Sequence, residues 1–198
     1  MTGAVTLSGA VMTHPRRIEF AQTLLSTTPT GLLRLVADPD PTGPPTALRT
    51  AMRAWSEYPS TATHHLVLQD DVVLCRDFFH HARTAIAAAP DAAIAFYAHW
   101  NSRNAAAVRL GALTGARWVR ATGEYTPTIA LALPVEIASG FAGYARRHGD
   151  TWPDDVVMSR YLGFLGVPTY LSVPNLVDHA NLPSVMRNDY HGPRQAAC

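Results

Sequence analysis

Apolar runs of strand length alternate along the chain with amphipathic runs of helical period. Residues 5–12 form the first apolar run; Thr13-His14-Pro15 follows, and Pro15 bars a continuing central strand. Ile18, Ala21, Leu24 and Leu25 then share one face of a helix over residues 16–25. A second apolar run, residues 32–37, closes in Asp38-Pro39-Asp40. Strand, helix, strand in this order begins a βαβ unit and predicts a parallel sheet. Beyond a Pro/Gly loop at residues 41–45, Leu48, Met52 and Trp55 recur at helical spacing. Residues 46–58 therefore read as a helix with Thr46 at its N-cap.

The pattern is sharpest over residues 64–74, where the apolar run Leu66-Val67-Leu68 stops abruptly in Gln69-Asp70-Asp71. A short unbroken apolar run reads as a buried strand. Two carboxylates at its carboxyl end occupy the edge where open α/β sheets bind ligands. Hard divalent cations take carboxylate oxygens together with substrate phosphates, so the pair suits a metal-assisted phosphate site. The plain alternative is a pair of turn residues ending a strand. Asp77 precedes the periodic run Phe78, Ala82, Ala85 and Ile86 and is placed to cap that helix.

The second half repeats the alternation. Residues 93–98 are apolar and end in His99-Trp100-Asn101-Ser102; residues 101–122 have a weak pattern that allows a short helix and a strand at 117–120. Residues 128–133 are strand-like, and Pro134 suits the first position of a helix carrying Ile137, Ala138, Phe141, Tyr144 and Ala145 inward. Arg146, Arg147 and His148 complement its C-terminal end before Gly149. A further helix, residues 154–165, opens on Asp154-Asp155 and ends at Gly166; acids there are favoured by the helix dipole alone. The last strand is residues 168–173, followed by Pro174 and a segment containing Asp178-His179.

Composition narrows the chemistry. The chain has 198 residues and a formal net charge of +1, so bulk electrostatics predict neither nucleic-acid nor membrane binding. All 16 basic residues counted with Lys are Arg, which excludes Schiff-base, Walker-type and kinase-type lysine chemistry. Two cysteines, Cys75 and Cys198, make no disulfide framework. No apolar stretch is long enough to span a bilayer, and the N-terminus carries no secretory pattern, so a cytoplasmic location is expected.

The sequence of three apolar residues, Gln69-Asp70-Asp71, Val72 and Leu74 resembles the metal-binding motif of nucleotide-sugar glycosyltransferases with the A-type (GT-A) fold. The resemblance extends through the first strand, the Asp38 turn, the Arg49 helix, the acidic helix start and His179. It implies one α/β, Rossmann-like domain at residues 1–185, with a mostly parallel central sheet flanked by helices. Residues 1–80 would be the donor half, residues 90–180 the acceptor half, and residues 186–198 a flexible tail. It also implies Mn²⁺ or Mg²⁺ at Gln69, Asp71 and His179, although Gln69 replaces an acid and offers only a carbonyl oxygen. Thr13, Arg16 and Asp38 would meet the base and ribose, and Asp70 the donor sugar or ribose. Arg49 lies in the first turn of its helix, where the dipole disfavours a cation, and would contact the diphosphate or base. Ser184 and Arg187 would approach the diphosphate from the C-terminal side. Asp154 or Asp155 matches the slot of the catalytic base in inverting members.

The activity so implied is transfer of a sugar from a nucleotide-diphosphate donor, most commonly UDP in that family. The acceptor would carry a hydroxyl group, on a natural product, peptide or saccharide. An inactive nucleotide-sugar binding module competes with it, with Gln69 as the trace of lost turnover. A nucleotidyltransferase ranks lower, because Thr13-His14-Pro15-Arg16 supplies neither a Gly-rich loop nor a Lys.

Overall fold

A computed structural model describes residues 4–149, 152–182 and 195–197. Seven strands form one sheet in the order β2-β1-β3-β7-β5-β8-β6, and two more form a small separate sheet. The large sheet comprises β1 (Leu7–Thr13), β2 (Leu33–Ala37), β3 (His64–Gln69), β5 (Ala93–Ala95), β6 (Trp118–Arg120), β7 (Ala130–Pro134) and β8 (Thr169–Ser172). The small one pairs β4 (Val72–Leu74) with β9 (Val177–His179). Helices α1 (Ile18–Ser26), α2 (Leu48–Ala54), α3 (Phe78–Ala88), α4 (Arg103–Leu113), α5 (Val135–His148) and α6 (Asp154–Leu165) lie between the strands in sequence.

The α/β class expected from the alternation is what forms, with a sheet that is mixed. Strands β2, β1, β3, β5 and β8 share one direction, and β7 and β6 run against them. Strand β7 lies between β3 and β5 and is antiparallel to both. Local apolarity sets neither a strand's neighbours nor its direction, so β7 was legible only as a strand.

The period-2 alternation within each strand divides the interior into two cores. Ala10, Met12, Val67, Ala93, Ala95, Leu131 and Leu133 face α2, α4, α5 and α6. Val11, Leu66, Leu68, Ile94, Ala130 and Ala132 face α1 and α3 on the other side. Strand β1 passes very close to its neighbours at Gly9. A Cβ there would meet the Leu66 carbonyl oxygen at 2.8 Å and the Leu33 side chain. Only glycine fits without displacing a strand.

Several element ends differ from the sequence expectation. Helix α4 is a full helix where the pattern is weak; its Ser102 hydroxyl caps Ala105 N–H at 3.0 Å. Asp77 stands at the N-cap position of α3 but has φ of 56° and makes no side-chain cap bond. An Asp tolerates that left-handed conformation, so its role is to turn the chain. Thr46 lies one residue before the N-cap position of α2, yet its hydroxyl still accepts from Leu48 N–H at 3.2 Å. Of residues 186–198 the structure describes Gln195–Ala197. Trp100 N–H donates to the Gln195 carbonyl at 2.9 Å, and Ala197 is buried.

Candidate functional site

The carboxyl ends of β1 and β3 lie side by side, because the two strands are parallel and in register from Leu7↔His64 to Met12↔Gln69. Thr13 and Asp70 therefore leave the sheet together, and the Thr13 hydroxyl donates to Asp70 Oδ2 at 2.6 Å. Burial pushes the Asp70 carboxyl up, while the Thr13 hydrogen bond and the Arg17 charge oppose that shift. Arg17, at the N-cap position of α1, reaches across both acids. Its Nη2 lies 2.9 Å from Asp70 Oδ1 and 2.8 Å from Asp71 Oδ2. These are ion pairs by distance but not by direction: among the described residues Nη2 has no aligned hydrogen-bond acceptor, and neither has the buried Nε.

His179 arrives from the far end of the chain. Pairing of β4 with β9 sets Val72 opposite His179, and the Ala180 N–H donates to the Asp71 carbonyl at 2.7 Å. The imidazole Nε2 consequently stands 3.3 Å from Asp71 Oδ2. The other carboxylate oxygen, Asp71 Oδ1, is buried and has no hydrogen-bond partner among the described residues. A buried carboxylate oxygen without a partner is costly and normally marks an absent water, ion or ligand. Gln69, half-buried, lines the same cleft as Asp70, Asp71 and Arg17.

Asp38 forms the other wall. It accepts from Arg49 Nε at 2.8 Å and Nη2 at 2.9 Å, a bidentate pair. Burial alone would raise the Asp38 carboxyl, but the hydrogen bonds from Arg49 and the Asp40 backbone, with the Arg49 charge, hold it below its ordinary value. The Arg49 guanidinium also donates to the carbonyls of Asp40 at 2.6 Å and Pro44 at 3.1 Å. Arg49 thus braces the 38–44 loop and orients Asp38. The cation in the first turn of α2 is balanced by a carboxylate of the protein itself.

Arg16, which the sequence placed in the site, is exposed; its backbone N–H donates to His14 Nδ1 at 3.2 Å. Its neighbour Arg17 lines the cleft instead. Two adjacent arginines at a strand end carry no signal in sequence to say which one turns inward. Ser184 and Arg187 lie outside the described residues.

The acidic helix start reaches the same sheet edge by a different route. Helix α6 leads into β8, which is parallel to β5, so the N-terminus of α6 sits at the carboxyl edge of the parallel strands. Gln69 N–H donates to the Ile129 carbonyl at 2.9 Å, which puts Thr128 next to the Asp70 turn. The Thr128 side chain favours the ionised Asp154 carboxylate, though less strongly than burial disfavours it. Asp154 is buried, and its Oδ2 has no hydrogen-bond partner among the described residues. Burial, with the Asp155 charge behind it, pushes the Asp154 carboxyl up to about 6. Asp155 is half-buried and accepts from Val156 N–H at 2.8 Å. Of the aromatics at the end of β5, Tyr97 is core, while Trp100 is half-exposed with the Arg109 guanidinium 4.6 Å from its ring centre.

No protein-family model matches the sequence, and no curated protein does. Among the described residues no group of three or more His, Cys, Asp or Glu side chains is arranged to hold a metal ion. Of the expected metal ligands, the ionisable pair Asp71 and His179 comes together and fits a divalent cation if the Gln69 carbonyl oxygen or substrate oxygens complete the shell. The unpartnered Asp71 Oδ1 is the feature that favours this fit.

Proposed function

We propose that this protein is a nucleotide-sugar glycosyltransferase of GT-A-like fold that moves a sugar from a nucleoside-diphosphate donor to a hydroxyl-bearing acceptor. One observation carries the assignment. At a single strand end, the ion pair between Arg17 Nη2 and Asp71 Oδ2 leaves a buried acceptor, Asp71 Oδ1, and a buried donor, Arg17 Nε, each without a hydrogen-bond partner among the described residues. A cation and a phosphate satisfy those two atoms together, and a donor diphosphate with its counter-ion brings both.

Asp71 and His179, with the Gln69 amide oxygen, would hold Mn²⁺ or Mg²⁺. When bound, the ion supplies Lewis-acid stabilisation of the leaving diphosphate. Thr13 fixes Asp70 through its hydroxyl, and Arg49 fixes Asp38 bidentately. Those two carboxylates face the nucleotide and donor-sugar side of the cleft. Asp154 is the candidate base on the acceptor side. A carboxyl held at about 6 is mostly ionised at pH 7, yet basic enough to accept a hydroxyl proton as the glycosyl bond forms.

Gln69 favours a second reading, a nucleotide-sugar binding module without turnover, because a neutral amide weakens the cation site. Thermal shift with UDP, GDP and their sugars, with and without Mn²⁺, tests both. A metal-dependent shift followed by donor hydrolysis supports the enzyme. A shift without hydrolysis supports the module. No shift with any nucleotide overturns both.

A further inference from the structure

Arg17 is held in a way that differs from Arg49. The Arg49 guanidinium makes two aligned bonds to Asp38 and two more to carbonyls. The Arg17 side chain is 11% exposed, yet Nη2 is misaligned with both acids and Nε is unpaired. Charge holds it there, and directional hydrogen bonding does not. The helix dipole opposes it as well, since Arg17 stands at the N-terminal end of the nine-residue helix α1. A cation so placed is easily exchanged for a better one.

The charge balance demands such an exchange. With the His179 imidazole neutral, two carboxylates and one guanidinium leave the cluster one negative charge, which repels a diphosphate. A divalent ion on Asp71 reverses that sign and competes directly with Nη2 for Oδ2. We propose that Arg17 is a placeholder cation. It neutralises Asp70 and Asp71 in the empty cleft, yields Asp71 to a divalent ion, and turns its freed guanidinium to the donor's diphosphate. The last step rests on the glycosyltransferase reading; the exchange at Asp71 does not.

The test measures two affinities that move in opposite directions. Mn²⁺ is titrated into the full chain and free ion is followed by electron paramagnetic resonance, for wild type, Arg17→Met and Arg17→Lys. UDP and GDP are then titrated calorimetrically at saturating Mn²⁺. Arg17→Met binds Mn²⁺ about tenfold more tightly than wild type, because an opposing charge within contact distance of the ligand is gone. Arg17→Lys stays close to wild type. The nucleoside diphosphate that binds wild type binds Arg17→Met about tenfold more weakly, since charge-assisted phosphate contacts are lost. Arg17→Gln, which keeps a donor for the acids, replaces the Met variant if that one does not fold.

Equal Mn²⁺ affinity in wild type and the neutral variants overturns the exchange, as does a failure of all of them to bind Mn²⁺. Unchanged diphosphate affinity overturns the second half of the proposal. If wild type binds Mn²⁺ but neither nucleotide, the sugar-transfer reading and the diphosphate step both fall, and the Mn²⁺ comparison still decides the exchange.

Discussion

His179 Nε2 stands 3.3 Å from Asp71 Oδ2, and the register of β4 against β9 holds the two side chains there. Neither element is long, so each depends on the other for its place. The contact joins the end of the βαβ half to the last strand of the chain and makes the carboxyl edge of the sheet a two-sided site.

Removing the Asp71 charge should abolish function while sparing the fold. Asp71→Asn lowers sugar transfer, or donor hydrolysis, by roughly 10²–10³-fold, the scale of losing one pre-organised electrostatic contact. Far-UV circular dichroism stays unchanged. His179→Ala weakens Mn²⁺ binding in the same assay. Full activity in Asp71→Asn would remove this carboxylate from the mechanism.

As the proposed base, Asp154 should set the acid limb of the pH profile. Below about 6 its carboxyl is protonated, so kcat/KM falls about tenfold per pH unit. Asp154→Asn loses both the limb and most activity, whereas Asp155→Asn keeps the limb. The raised carboxyl also has a cost in stability. Its contribution is complete below the ordinary value of 3.8 and is lost as pH rises through about 6. Urea unfolding should therefore show Asp154→Asn more stable than wild type at pH 7, by up to about 3 kcal/mol. No gain is expected at pH 3.5.

His65 imposes the opposite dependence. It is fully buried on β3, and its Nε2–H donates to the Ala54 carbonyl at 2.9 Å. Nδ1 is then the acceptor for the Ser8 hydroxyl at 2.8 Å. Burial, only partly offset by the Ala54 bond, lowers its pKa to about 4 from 6.5. The neutral ring is the folded form, so the unfolded chain binds the extra proton first. Stability from this group is intact above about 6.5 and is lost as pH falls towards 4, by about 3 kcal/mol in all. Urea midpoints between pH 7.5 and pH 4.5 check this. A His65→Phe variant should lose that slope, although the unpaired Ser8 and Ala54 groups lower its stability at pH 7.

Gly9→Ala tests the central strand contact. The added methyl meets the Leu66 carbonyl oxygen at 2.8 Å and the Leu33 side chain, and neither a backbone oxygen nor a packed strand yields easily. A loss of about 1–3 kcal/mol in denaturant unfolding is expected. Because β1 carries Thr13 and precedes Arg17, nucleotide affinity should weaken as well. A neutral substitution would mean that β1 can shift without harm.

Much of this molecule is written in local pattern. The run Leu66-Val67-Leu68 into Gln69-Asp70-Asp71, the helix Asp154–Leu165 and the α/β alternation need only side-chain period and capping chemistry. Those signals act over a few residues, so the sequence alone determined most of the strands and helices and which acids stand at their ends, but not the short strand Val177–His179 or the full extent of helix Arg103–Leu113. It could not determine partners. The antiparallel insertion of β7, the β4–β9 ribbon, the choice of Arg17 over Arg16 and the clamp of Arg49 on Asp38 all arise from contacts between distant segments. Register and burial decide such contacts. Only the folded chain could bring one carboxylate against a guanidinium and an imidazole and leave its second oxygen unpaired.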